Sequence, residues 1–168
     1  MLRQLPDGVP VLVRPIRPDD KHLLEEGLRR LSARSVQRRF LSPKRKFTRA
    51  ELRYLTEVDG RNHVALVAES PTQPGRLLGV SRFVRSDDDP EAAEAAIVVG
   101  DDWQGRGLGS LLARELAGRA RELGIRRFTA TMASDNLEAR RLTRSLTAHP
   151  EQRHAGRGVS EVVLDLAA

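Results

Sequence analysis

The sequence predicts an α+β fold, with a mixed, mostly antiparallel central sheet flanked by helices, and three observations lead there. Two β-rich runs, 62–69 and 77–85, are separated by the turn-forming PTQPGR, and a third, 91–99, follows the turn SDDDP, which reads as an antiparallel meander. After Gly100 the apolar period lengthens to that of a helix, and helix and strand then alternate to the end. The full order is β, helices, β-β-β, α, β, α, β, which lacks the repeated βαβ unit of a parallel array. At 168 residues the chain fits one domain spanning 1–168 and buries enough surface to fold without disulfides or a structural metal.

Each element has a local reason. Val9 to Arg14 alternates as a first strand, stopped by Pro15 and Pro18, and Asp19 or Asp20 caps the helix that follows. Leu23, Leu24, Leu28 and Leu31 fall on one face of that helix, and a second helical piece covers about 33–41. Thr48 followed by Glu51 is a capping box for a short helix through Leu52 and Leu55. The stretch from Ser70 to Gly75 reads as the longest loop. The helix from Ser110 carries Leu111, Leu112, Leu116 and Leu123 inward and stops at Gly124. Residues 127–132 form a strand, 136–147 an arginine-studded helix, and 159–166 a closing strand. His149 and His154 lie in a polar, Pro-containing segment read as a loop.

Composition removes several functions. There is no cysteine, so thiol nucleophiles, disulfides and cysteine zinc sites are excluded together, which suits a cytoplasmic location. The four histidines form no metal set, and no metal is expected. Charges and prolines interrupt the first twenty residues where a signal peptide needs an apolar run, and no stretch is long enough to span a bilayer. The net charge of +6 suggests a polyanion partner, but aromatics at 4% are too few to stack bases, which argues against nucleic acid. Segregation of the charge says more than its sum. Arg29 to Arg53 holds ten basic residues and one acidic, whereas Ser86 to Asp102 holds seven acidic residues and no basic ones.

The sharpest feature is Gln104-Gly105-Arg106-Gly107-Leu108-Gly109-Ser110, placed between a strand and a helix. Its glycines let a ligand approach the backbone, and successive N–H groups opening a helix make an anion nest suited to pyrophosphate. The competing reading is a tight strand-to-helix connection. A P-loop would need lysine after the last glycine, where Ser110 stands, and a dinucleotide fingerprint would need its third glycine one residue later. The remaining pattern, Q/R-x-x-G-x-G/A, is met by Gln104, Gly107 and Gly109.

On this motif, and on the order of the elements over nearly the whole chain, the sequence resembles the GCN5-related N-acetyltransferases, the GNAT superfamily. RPIRPDD, RRLSARSVQRRF and VSRFVR resemble the catalytic domain of bacterial Pat-type protein-lysine acetyltransferases. The resemblance implies an acyl-CoA N-acyltransferase fold with acetyl-CoA as cosubstrate. Its pyrophosphate would lie on the amides from Gln104 to Ser110, with Arg106 either adding charge or pointing to solvent. The preceding strand, at Ile97, Val98 and Val99, would splay from its neighbour and bond the pantetheine arm. Asn136 matches a cofactor-contacting asparagine and is equally an N-cap. Ser110 is a phosphate donor or a cap, and Trp103 is expected to pack beneath the loop rather than lie on the surface.

The acceptor amine, with a pKa near 10.4, must lose a proton before attack. Glu94 is the expected general base: it is the lone ionisable group from Ala92 to Val99, and the resembling enzymes carry a glutamate there. The alternative is a solvent-facing strand residue, and Glu91 is the reserve. No general acid is evident, because the helix after Asn136 lacks the family's tyrosine and Tyr54 lies in an early helix. A thiol leaving group tolerates that loss. The resemblance implies a protein lysine as acceptor, with small amines open. Asp87, Asp88 and Asp89, with Glu57 and Asp59, either attract the amine or are simply solvated. A degenerate CoA-binding regulatory protein and a polyanion-binding module are the rival functions. Dimers are frequent in the resembling family, which leaves a homodimer open.

Overall fold

A computed structural model describes residues 1–166 of the chain. Eight strands form one sheet in the order β1-β2-β3-β4-β5-β6-β8-β7. They are β1 (Leu2–Gln4), β2 (Pro10–Pro15), β3 (His63–Ser70), β4 (Gln73–Arg85), β5 (Ala92–Val99), β6 (Arg127–Ala133), β7 (Glu151–Gly156) and β8 (Val159–Asp165). Helices α1 (Lys21–Arg30), α2 (Ala33–Phe40), α3 (Arg49–Thr56), α4 (Leu108–Glu122) and α5 (Leu137–Leu146) flank it. Every neighbouring pair is antiparallel except β5 with β6, so the expected mixed, mostly antiparallel sheet is borne out.

The sheet is covered on both faces. On one, Leu116, Ala117 and Ala120 of α4 meet Phe83, Phe128, Val162 and Leu164, and Leu108, Leu111 and Leu112 meet Val11, Val13 and Leu78. Leu108, Leu112 and Leu116 are at most 1% exposed, and each such leucine contributes about 1.5–3 kcal/mol relative to an exposed one. Gly79 makes the close approach possible, since a Cβ there would lie 2.9 Å from Leu112 Cδ1 and 3.0 Å from the Val98 carbonyl. On the other face Leu23, Leu24 and Leu52, from α1 and α3, pack on Ala65, Val67 and Val80. The Thr48–Glu51 capping box forms as expected.

Several expectations are corrected. Strand β1 carries no readable signal: it is three residues long and its Leu2 is exposed, and it is held by pairing with β2 and by the ion pair from Arg3 to Glu115 of α4. Strand β7 is an edge strand with no buried residue, so it leaves no apolar alternation; His154 belongs to it, not to a loop. The Ser70–Gly75 stretch is mostly strand, because Ser70 already pairs with Gln73, and the longest connection with no helical turn or strand in it is instead 41–48. Asp20 is the N-cap of α1 but makes no cap bond. Its carboxylate accepts from the Arg17 amide at 2.7 Å and from both terminal nitrogens of Arg14 at 2.8 Å, and Arg14 also reaches Glu69. Helix α4 starts two residues before Ser110, with Gly107 as its N-cap, so Ser110 is not the cap.

Candidate active site

Strands β5 and β6 pair only from Ala92 to Glu94 against Arg127 to Thr129. Beyond Glu94 the strands part, and β5 runs on to Val99 with only β4 beside it. The Gly100 amide donates to the Leu78 carbonyl at 2.8 Å, which fixes the alternation: even-numbered residues of β5 bond to β4, and odd-numbered ones turn their peptide groups toward the gap. Ile97 and Val99 therefore present backbone to the opening, while the peptide groups of Val98 belong to the sheet.

A cavity of about 320 Å³ lies beside the free end of β5, against the glycine turn, α2 and α5. Of the eleven residues expected at the cofactor, nine line it: Ile97, Val98, Val99, Gln104, Gly105, Gly107, Gly109, Ser110 and Asn136. Leu108 and Arg106 do not. The Leu108 side chain is wholly buried in the core. Arg106 is turned to Asp7, with Nε at 2.9 Å and a terminal nitrogen at 2.8 Å, and stacks its guanidinium 4.3 Å from the centre of the Trp103 ring. Its charge is spent locally, holding the Asp7 carboxyl below the usual carboxylate range. Trp103 is half-buried and packs against the core as expected.

The glycine turn is built for an anion. Among the described residues no acceptor takes the backbone N–H groups of Gly105 through Ser110, and the first satisfied amide is that of Leu111, 3.0 Å from the Gly107 carbonyl. Six consecutive free amides thus open a helix of fifteen residues, whose dipole adds partial positive charge at the same end. Gly107 has φ +87°, and a Cβ there would meet the Pro6 ring at 2.9 Å. At Gly109 a Cβ would sit in ordinary contact, 3.6 Å from Val99, which explains why the pattern accepts alanine there and not at Gly107.

The Gln104 side chain does not face the nest. Its Nε2 donates to Ser35 Oγ at 3.1 Å, the Val99 carbonyl at 3.1 Å and Asp101 Oδ1 at 3.2 Å. Asp101 is the centre of this cluster, also accepting from the Ser32 amide at 2.6 Å, from Ser32 Oγ and from Ser35 Oγ. Burial pushes the Asp101 carboxyl up, but the hydrogen bonds from Ser35, Ser32 and Gln104 outweigh it and hold the group below the usual range. The carboxylate ties the glycine turn to the start of α2, the helix that puts Arg38 and Arg39 on the cavity wall. Asn136 Oδ1 accepts from the Ala139 amide at 3.1 Å and caps α5, and the residue still lines the cavity, so both of its expected roles are sterically compatible.

Glu94 sits at the vertex of the gap, on the face opposite Ala93 and α4. It is exposed and lies outside the cavity lining. Register places it beside Val84 and His63 across three strands. Arg39 is the charge that it opposes: burial lowers the Arg39 guanidinium and Glu94 raises it. Arg82, diagonal to Glu94 on the same face, is 7% exposed and donates to the Leu55 carbonyl at 3.2 Å and to His63 Nε2 at 3.1 Å. Burial and then Arg39 push Arg82 down to about 10, while burial and then Arg82 push His63 down to about 4. Tyr54 stacks 4.8 Å from the His63 ring, so α3 brings the one tyrosine to the face that bears Glu94. Sequence reasoning missed Asp101, Arg39 and Arg82. An arginine inside the otherwise apolar strand VSRFVR was the signal for Arg82.

Three of the five acids that could draw an amine are engaged elsewhere, Asp89 of the turn and the separate Glu57 and Asp59. Asp89 pairs with Arg127 at 2.6 Å, Glu57 with Lys21 at 2.8 Å, and Asp59 accepts from three backbone amides. Glu91 pairs with Arg126 at 3.1 Å and faces neither the gap nor Glu94's surroundings through any bond. Among the described residues no group of histidines and carboxylates is arranged to hold a metal, and no helix is long and apolar enough to cross a membrane.

Comparison with known proteins agrees with this geometry. The profile of the Acetyltransferase (GNAT) family matches residues 22–147. The chain is 39% identical over 136 residues to acetyltransferase Pat of Mycolicibacterium smegmatis, covering 81% of this chain and 40% of that protein. It is 32% identical over 143 residues to acetyltransferase PA5475 of Pseudomonas aeruginosa, covering 84% and 76% respectively. The crystal structure of the GNAT domain of S. lividans PAT superposes with a TM-score of 0.89 at 29% identity, covering 99% of this chain and 96% of that one. This chain thus spans less than half of the M. smegmatis relative and nearly all of the S. lividans domain. The parted strands, the row of free amides and these matches together place the chain in the acetyltransferase (GNAT) family.

Proposed function

We propose that the chain moves an acetyl group from acetyl-CoA to a primary amine, a protein lysine side chain, by direct attack in a ternary complex. The observation that carries this reading is the row of free amides from Gly105 to Ser110 at the mouth of the parted strands. The amides and the α4 N-terminus hold the pyrophosphate. Ile97 and Val99 offer the strand edge to the pantetheine amides, and an N–H of that edge polarises the thioester carbonyl. The Asn136 amide nitrogen, left free by the cap, is a further donor.

Glu94, where the strands separate, takes the proton from the acceptor ammonium, directly or through a water. The neutral nitrogen then attacks the carbonyl carbon, the tetrahedral oxyanion collapses as the C–S bond breaks, and the second proton of the nitrogen passes to the departing thiolate or to solvent. Thiolate is a good enough leaving group near neutral pH that no strong acid is needed. Kinship with Pat proteins supports a protein lysine over a small amine. The location expected for such chemistry is the cytoplasm.

A thiol-release assay with acetyl-CoA against small amines, lysine peptides and folded proteins tests the reading, with thermal-shift titration by CoA alongside. Transfer to lysine in proteins supports it. Transfer to small amines alone overturns the acceptor assignment, binding without turnover identifies a degenerate CoA-binding protein, and no shift with CoA overturns the whole reading.

A further inference from the structure

Helix α5 divides its arginines between two cavities. Arg141 lines the cleft already described, whereas Arg140 and Arg144, one turn apart, line a second cavity of about 360 Å³ between α5 and the β7–β8 hairpin. His149 and Gln152 complete its polar wall. No carboxylate lines it. Strand alternation explains why: Gln152 pairs with Val162, which is buried toward α5, so Glu151 and Glu161 project from the opposite face, where Glu151 approaches Arg153. Glu138, the acid of α5, is engaged with Arg38 on the side of the first cavity.

Arg140 Nε is buried and has no hydrogen-bond partner, and among the described residues neither Arg140 nor Arg144 makes an ion pair. The nearby Thr143 hydroxyl donates to the Arg140 carbonyl at 2.8 Å and takes no bond from Arg140 Nε. A buried cationic N–H without an acceptor is costly, and native proteins rarely leave one so.

We propose that this second cavity binds a small, multiply charged organic oxyanion, a phosphate monoester or a polycarboxylate, on the guanidinium groups of Arg140 and Arg144 with His149 and Gln152 as further donors. Guanidinium forks match the paired oxygens of either group. The volume lies in the range of small-molecule pockets, so the ligand carries more than a bare phosphate. The site is separate from the donor cleft and stands whether or not acetyl transfer does.

The test is performed on the full chain with CoA saturating, at constant ionic strength, so that the first cavity and general screening do not contribute. Glycerol 3-phosphate and citrate are the two probes, followed through the arginine Nε–H resonances and by calorimetry. Saturable binding that moves the Arg140 resonance is expected, and the stronger probe identifies the anion class. Arg144→Gln, on the outer turn, and Arg140→Gln should each weaken it by about tenfold or more, with stabilisation by CoA retained as proof of folding. Failure of both probes to saturate by about 20 mM, where binding is too weak to be specific, overturns the proposal. Unchanged binding in the folded Arg144→Gln variant overturns it equally.

Discussion

The substitutions Gly107→Ala and Gly105→Ala separate backbone conformation from packing in the glycine turn. Both residues have left-handed φ, +87° and +72°, so alanine at either position costs about 1–2 kcal/mol in backbone strain. Nothing lies within 4 Å of a Cβ at Gly105, whereas one at Gly107 would press on Pro6 Cδ and Cγ at 2.9 and 3.0 Å. A proline ring cannot swing aside, so overpacking adds about 1–3 kcal/mol at Gly107 alone. The expected totals are about 1–2 kcal/mol for Gly105→Ala and about 2–5 kcal/mol for Gly107→Ala, and at about 2–4 °C per kcal/mol the melting temperatures should differ by several degrees. Urea denaturation and calorimetry on the two variants measure this directly. Equal destabilisation would refute the claim that the Pro6 ring excludes a side chain at Gly107.

Asp101→Asn puts an amide NH₂ against the Ser35 and Gln104 donors, and should cost about 1–3 kcal/mol and raise the KM for acetyl-CoA more than it lowers kcat. Equal kcat and KM effects would argue against a tether on the cleft wall. For Asn136, the Asp variant keeps the capping oxygen and loses the amide donor, while the Ala variant loses both. Asn136→Ala should destabilise by about 1 kcal/mol, and Asn136→Asp should keep the fold but bind CoA more weakly; normal CoA affinity in Asn136→Asp would leave only the cap. His63 supplies a pH test. With its pKa near 4 when folded against about 6.5 when unfolded, the unfolded chain binds more protons, so stability falls as pH drops from about 6.5 toward 4. After discounting for solvent around a half-buried ring the loss is about 1–2 kcal/mol, and His63→Gln should remove that slope.

What the sequence makes legible follows from how each signal is encoded. Periodicity found α1, α4 and the meander because each buries one regular face, and the spacing of Gln104, Gly107 and Gly109 found the turn because the backbone there tolerates little else. The edge strands β1 and β7 bury almost nothing and so leave no pattern. The cluster around Asp101 joins residues about 70 positions apart, which no local reading reveals, and Gln104, readable as part of a motif, proves to serve that cluster through its side chain. The motif position of Arg106 points to the cofactor, yet Asp7 and Trp103 claim its side chain. Helix α3 carries Tyr54 to the Glu94 face only through tertiary packing.

The most direct test of the account is the pH dependence of acetyl transfer from acetyl-CoA to a lysine acceptor by the wild-type chain and by Glu94→Gln. A general base is worth about 10²–10⁴-fold, so the variant should lose that much in kcat/KM near neutral pH while binding CoA as before. Its rate should recover tenfold per pH unit as the free amine, with a pKa near 10.4, becomes available. A variant within about twofold of the wild type at neutral pH would be far short of that loss and would contradict the account.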